Sequence, residues 1–480
     1  MGLTILLCNG HILDEFSNLG DGVARGESLL DSTGMRPQGD QPMDEQLSTL
    51  PPGTHIVVHR KDGGRWEGWL LPRDPYSPPE SFRLKLSSGY NIGLSLREVA
   101  SIETIGGAPW GEVAGHNAPP NEVGGAHASP DGARVTILTT GGTIASYVDY
   151  TTGGVKPMPG WRALEALFPD DPGRVVLKDV FDILSEDIGP EHWERLAEEV
   201  QEAFQGGARG VVITHGTDTM AYTASALAFQ LRDLPGPVVL VGAQRSIDRP
   251  SSDGIFNMRC AVQVAREADL GEVVVVMHSD ASDIRADIHR GTRVRKMHST
   301  RRDAFRTLNS SPLGWVDAAV HLTGDHRSRA KSTVKLEKGF DRNGRMLWIH
   351  PGITPEEATA ATVGARGVLL VGTGMGHVPS QLLAWIRDQG KAGTLFAMTT
   401  QCLGGTVDPY VYSRGRELAS SGVVYLGDML PETAFVKLLW ALHRAKGREA
   451  VEQTLGTDLA GEMSPGRSLF GERESNESRP

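Results

Sequence analysis

Val238-Val239-Leu240-Val241 and Val273-Val274-Val275-Val276 have no polar side. A strand with one wet face alternates apolar and polar residues, whereas an unbroken aliphatic run fits a strand buried on both faces. Sheets of that kind are parallel, because crossover helices cover both faces. The surrounding chain supplies the rest of the pattern. Val135-Thr136-Ile137-Leu138 and Gly210-Val211-Val212-Ile213-Thr214 read as further strands, and a helix is expected through Ala221, Leu227 and Leu231. Strand, loop and helix in repetition predict an α/β domain over residues 133–335. A second, shorter α/β domain is expected over 345–457, with strands at 367–371, 395–398 and 423–425 and helices at 381–386 and 433–445.

Residues 52–105 follow another rule. Short strand-like runs at 55–59, 66–71, 82–86, 92–94 and 99–102 are separated by Gly-Gly, Pro-rich and Ser-Gly turns. This spacing predicts a small all-β barrel, closed or partly closed. Residues 106–132 are rich in Gly, Pro, Asn and Ala, which is linker composition. Residues 1–51 are polar, Gly-rich and without periodicity, so a disordered extension is expected, with Met43 as an alternative beginning. Residues 458–480 are polar and are expected to form a flexible tail.

Composition narrows the function classes. No apolar run reaches membrane-spanning length. The first residues lack the basic flank of a signal peptide, and Leu6 stands where a myristoylation motif needs Ser or Thr. Cys8, Cys260 and Cys402 are far apart and odd in number, which argues for a reducing compartment and against a disulfide framework or cysteine zinc site. The cytoplasm is the expected location. A net charge of −11 argues against non-specific nucleic-acid binding by the whole surface.

In open α/β sheets ligands bind beyond the carboxyl ends of the strands. Two loops sit there: Thr140-Gly141-Gly142-Thr143 and His215-Gly216-Thr217-Asp218-Thr219. Glycines let backbone approach a ligand, and each loop then presents a threonine hydroxyl. A hydroxyl nucleophile needs a base. No histidine is obviously placed, but a lysine serves where burial or a neighbouring charge lowers its pKa from about 10.4. Lys296, with Asp218 to orient it, is the candidate. The residues alone leave another reading open, because Thr217-Asp218-Thr219 before an apolar helix is also a good N-cap sequence.

TGGTIAS, HGTDTM, VGAQRS with SSDGIFN, and RVRK, in this order, resemble the asparaginase/glutaminase family. The resemblance implies an asparaginase-like two-domain α/β fold. It implies that Thr143 attacks the side-chain amide and that Thr217, Asp218 and Lys296 form a second catalytic group. Tyr150 would close over the substrate, and Ser185 and Glu186 would hold its α-carboxylate and α-amino group. The barrel, with EGWLLP and LKLSSGYNIG, the segment from His278 to Gly314, MTTQCLGGTVDPYVYSRGREL and PETAFVKLLWAL further resemble the D-subunit family of archaeal glutamyl-tRNA(Gln) amidotransferases. That resemblance spans about 52–457. It implies hydrolysis of L-glutamine, a homodimeric core, and ammonia passed to a partner E subunit. The partner would use ATP and Mg²⁺ and carry most of the contact to Glu-tRNA(Gln). No cofactor is implied in this chain. A free asparaginase with an accessory barrel is the alternative.

Three other features invite readings. The run Arg285 to Arg306 could face tRNA or an acidic partner, though such a run is more often a solvated face with ion pairs. His278, His289 and His298 with Asp280, Asp283 and Asp287 lack metal-ligand spacing, so no metal is expected. Trp66, Trp69 and Tyr90 could stack on bases, but barrel packing is the expectation.

Overall fold

Five strands lie between residues 55 and 104: β1 (His55–Arg60), β2 (Arg65–Leu70), β3 (Ser81–Leu86), β4 (Asn91–Ser95) and β5 (Val99–Thr104). They form an antiparallel sheet in the order β4-β3-β2-β1-β5. Central β1 buries Ile56, Val57 and Val58. Among the described residues β4 and β5 remain the two edges, so the expected all-β unit is present and its barrel is open. The structure, a computed structural model, describes residues 43–72, 78, 80–86, 91–105, 134–141, 146–149, 154–157, 175–245 and 252–464. The 106–132 linker lies outside them. Helix α1 (Met43–Thr49), in the separate unit that ends at Leu50, falls inside the stretch expected to be disordered. Seven residues are too few to show a period.

The strands of the larger α/β domain follow. β6 (Val135–Thr139), a ribbon of β7 (Ser146–Asp149) and β8 (Gly154–Pro157), β9 (Val175–Asp179), β10 (Gly210–Thr214), β11 (Leu231–Arg232), β12 (Val238–Val241) and β13 (Val273–His278) are joined through helices α2 (Pro190–Gln205), α3 (Met220–Gln230) and α4 (Gly254–Glu267). After them come β14 (Ala286–Arg290), β15 (Val294–Lys296), β16 (Phe305–Thr307), β17 (Gly314–Val316), β18 (Val320–Leu322) and β19 (Lys335–Leu336). Eight of these form one sheet, β18-β17-β14-β13-β12-β10-β6-β9. It is parallel from β13 to β9 and antiparallel from β13 outward to β18.

The unbroken aliphatic runs do what their composition requires. In β10, β12 and β13 every residue is buried. Val211, Ile213, Val238, Leu240, Val273 and Val275 pack with α2 and α3. Val212, Val239, Val241, Val274 and Val276 turn the other way and pack with α4. The two-residue period of a strand thus feeds two cores.

The C-terminal domain is a parallel sheet of β20 (Gly344–Trp348), β21 (Gly367–Gly372), β22 (Leu395–Thr400) and β23 (Val423–Tyr425). Helices α5 (Pro355–Ala361), α6 (Gln381–Lys391) and α7 (Ser413–Ser420) cover one face, and α8 (Pro431–Arg444) and α9 (Arg448–Gly456) the other. Helix α8 serves both α/β domains. Its Leu438, Ala441 and Leu442 face the C-terminal sheet, while Val436, Leu439 and Trp440 enter the core beneath α3.

Seven residues of the segment expected to be a flexible tail are packed, and 465–480 lie outside the described residues. Residues 458–464 are packed, because Glu462 is fully buried and its Oε1 lies 2.6 Å from Nζ of equally buried Lys437 on α8. Arg232 and Thr292 donate to the carbonyls of Leu459 and Ala460 at 2.7 and 3.0 Å.

Candidate active site

The carboxyl ends of β6 and β10 are stitched together, Thr140 Oγ1 donating to the Thr214 carbonyl at 2.6 Å. Gly141 follows at φ 93°, and a Cβ there would stand 2.7 Å from the Ile183 carbonyl. Only glycine meets both demands at once. Gly216 is equally constrained, since a Cβ would fall 2.6 Å from Cβ of Ser185. The 182–187 segment therefore lies against both strand-end loops.

Three expected residues meet here. Lys296, at the end of β15, donates from Nζ to Thr217 Oγ1 at 2.8 Å and to Asp218 Oδ1 at 2.9 Å. Thr217 is buried, Lys296 is 13% exposed and Asp218 is 69% exposed. The lysine thus spans from a dry hydroxyl to a wet carboxylate, linking the three side chains in one hydrogen-bonded group. The N-cap reading fails on the same bonds. Thr219 occupies the cap position of α3 without a side-chain cap bond, and its hydroxyl donates instead to the Ser185 carbonyl at 2.6 Å. Ser185 is buried beside this loop, and exposed Glu186 places Oε2 3.5 Å from its hydroxyl. Thr143 and Tyr150 lie outside the described residues.

His215 takes no part as a base. It is buried, and burial pushes its pKa down to about 4. Its Nδ1 donates to the Gly216 carbonyl at 2.7 Å, and Thr223 donates to Nε2 at 2.8 Å. The Thr223 oxygen accepts from Trp193 Nε1 at 3.1 Å. With burial keeping the ring neutral, the carbonyl at Nδ1 selects the Nδ1–H form.

Several supporting residues escaped the sequence reading. Buried Asp253 accepts from the backbone N–H groups of Gln244 and Arg245 at 2.9 and 3.0 Å and from Asn257 Nδ2 at 3.2 Å, fixing the loop after β12. His278 bonds Asn257 at 2.6 Å and Asp283 at 2.9 Å, so both ring nitrogens are used. An aspartate directly before a helix was the signal, visible in Ser251-Ser252-Asp253-Gly254.

The arginine run is neither a bare basic patch nor a simple solvated face. Arg290 pairs with Glu272 at 2.8 Å, Arg293 with Asp428 at 2.8 Å and Arg295 with Glu432 at 3.1 Å. The more exposed Arg301 and Arg306 share Asp303, and Arg302 holds Asp283. Among the described residues no group of three His, Cys, Asp or Glu side chains is placed to hold a metal ion, and no helix is long and apolar enough to cross a membrane. In the β-sheet unit, Trp69 stacks on His55 at 4.4 Å, whereas Trp66 is exposed; Tyr90 lies outside the described residues.

Comparison with known proteins agrees with this geometry. Residues 134–327 match the asparaginase N-terminal model, 345–455 the glutaminase/asparaginase C-terminal domain, and 50–105 the GatD N-terminal domain. The D subunit of glutamyl-tRNA(Gln) amidotransferase from Saccharolobus islandicus is 42% identical over 424 residues, covering 86% of this chain and 93% of that protein. The protein of the same description from Pyrococcus horikoshii is 41% identical over 417 residues, covering 85% and 94%. Among solved structures, the thermostable L-asparaginase from Thermococcus kodakarensis superposes with a TM-score of 0.64 at 32% identity, over 69% of this chain and all of that one. L-asparaginase I from Vibrio cholerae gives 0.61 at 28% identity, over 70% of this chain and 100% of that one.

Proposed function

The chain belongs to the D-subunit family of glutamyl-tRNA(Gln) amidotransferases, and from that membership we propose that it hydrolyses L-glutamine to supply ammonia for making Gln-tRNA(Gln). The contact of Lys296 with both Thr217 and Asp218 is the observation that carries this reading. Thr143, on the segment after β6, attacks the side-chain amide carbon. The C–N bond breaks, ammonia leaves with the threonine's proton, and an acyl ester remains on Thr143. Thr217 and Lys296 then take a proton from water, which hydrolyses the ester and returns glutamate and free Thr143. Asp218 holds the lysine during this cycle, and Tyr150 closes over the substrate. Ser185 binds the α-carboxylate. Glu186, an anion beside the site, matches the α-ammonium group.

The ammonia passes to an E subunit, where ATP and Mg²⁺ activate Glu-tRNA(Gln). The homodimeric core and cytoplasmic location belong to this same reading. The presence of 50–105 supports it over a free asparaginase, because the matched asparaginases are covered in full by about 70% of this chain. Ammonia release from glutamine decides the matter, measured for the purified chain alone and with its E subunit, with and without Glu-tRNA(Gln). A sharp rise only with partner and charged tRNA is expected. Full activity of the chain alone, preferring asparagine and indifferent to tRNA, would overturn the reading.

A further inference from the structure

Lys296 acts from an unusual support. Its strand, β15, has three residues and pairs only with β16, outside the eight-stranded sheet. Strand alternation puts Val294 and Lys296 on one side and Arg293 and Arg295 on the other. Val294 anchors the lysine's own side in the core packed by α3, and the opposite side is gripped separately. Both arginines there reach the C-terminal domain: Arg293 meets Asp428, and Arg295 Nε meets Glu432 Oε1 in the first turn of α8.

The Arg295–Glu432 pair has an incomplete geometry. It closes through one contact, while Arg295 Nη1 and Glu432 Oε2 are buried without hydrogen-bond partners. Guanidinium and carboxylate gain most from two parallel bonds, and a buried polar atom without a partner is costly. A pair serving stability alone would rotate to satisfy both. Here strand and helix hold the two groups in place. Tyr222 of α3 lies beside them, its phenol pushed up by burial and by the Glu432 charge, so it stays neutral. The pair thus sits among β15, α8 and the helix that follows Thr217–Thr219.

We propose that Arg295 and Glu432 are positioning residues for Lys296, a strut from α8 that sets the lysine's distance to Thr217 and Asp218. This rests on the reading of Lys296 as a catalytic group. Small displacements of a reacting group are expensive in rate: about 1 Å can cost on the order of 10²-fold. Glu432→Gln is therefore expected to lower kcat for glutamine by about 10- to 100-fold with KM unchanged. Glu432→Asp, which keeps the charge, is expected to recover much of that loss.

The deciding experiment combines Glu432→Gln with Lys296→Ala and measures glutamine-dependent ammonia release by the full chain with its partner subunit and charged tRNA. A strut acting through Lys296 costs nothing further once the lysine is gone. Equal multiplicative losses in both backgrounds, or wild-type kcat in Glu432→Gln, would overturn the inference. If Glu432→Gln does not fold, Arg295→Lys measured in the same two backgrounds decides by the same criterion. Wild-type activity in Lys296→Ala alone would instead overturn the functional reading on which the strut depends.

Discussion

Lowering pH should destabilise this protein through His215 by an amount the structure sets. The ring is buried, with Nδ1–H given to Gly216 and Nε2 receiving the Thr223 hydroxyl. A second proton on Nε2 would face that hydroxyl, whose oxygen already accepts from Trp193. Burial holds the folded pKa at about 4, against 6.5 for a free ring. Between these values the unfolded chain binds a proton that the folded chain does not. Stability consequently falls as pH drops below about 6.5 and stops falling on this account below about 4. From about pH 7 to about pH 5 the His215 share is about 2 kcal/mol. Urea unfolding at these two pH values, for wild type and His215→Asn, isolates it. The comparison uses only the change with pH, so a uniform loss of stability in the variant does not enter. Buried His289, held near 3 by burial and the Arg306 charge, contributes equally to both proteins and cancels. The variant is expected to lose about 2 kcal/mol less than wild type over the interval. Equal losses would refute the neutral, Nδ1-protonated assignment.

Two further outcomes are expected. Thr143→Ala and Lys296→Ala should each lower glutaminase activity by on the order of 10³-fold or more, the double variant should be little worse, and synthesis of Gln-tRNA(Gln) from free ammonia should persist; losses that multiply would contradict a shared mechanism. Glu462→Ala should cost about 3–5 kcal/mol, because Lys437 is left buried without its carboxylate, and should release 458–464 to limited proteolysis; unchanged stability and an uncut segment would refute the packing of that segment.

The parallel strands were legible because burial on both faces leaves no polar residue to misread, as in β12 and β13. The Thr217, Asp218 and Lys296 cluster was legible only in part. Thr217 and Asp218 are adjacent, but the bond of Lys296 to them spans 78 and 79 residues, and no local period reports such a distance. Helix capping competed for the same Thr-Asp-Thr letters until Thr219 was seen bonded to Ser185. The antiparallel strands β14, β17 and β18 were missed because they are short: β14 and β18 mix His, Arg or Asp with aliphatics, and β17 is only Gly-Trp-Val. The 458–464 segment was misjudged for a related reason. Its polarity suggests solvent, yet Glu462 is buried against Lys437, equally buried on α8. The arginine run likewise looked uniform, while each arginine's environment depends on an acid elsewhere in the chain.

The bonds that brace β15 have a consequence for biosynthesis. Thr292, Arg293 and Arg295 find their braces at Thr433, Ala460, Gly461, Asp428 and Glu432, all translated well after Lys296. At typical translation rates they follow Lys296 by on the order of ten seconds. A nascent chain, or one truncated before Asp428, carries Thr217, Asp218 and Lys296 but none of these braces. The Lys296 strand would thus take its braced position only once residues 428–461 have been made.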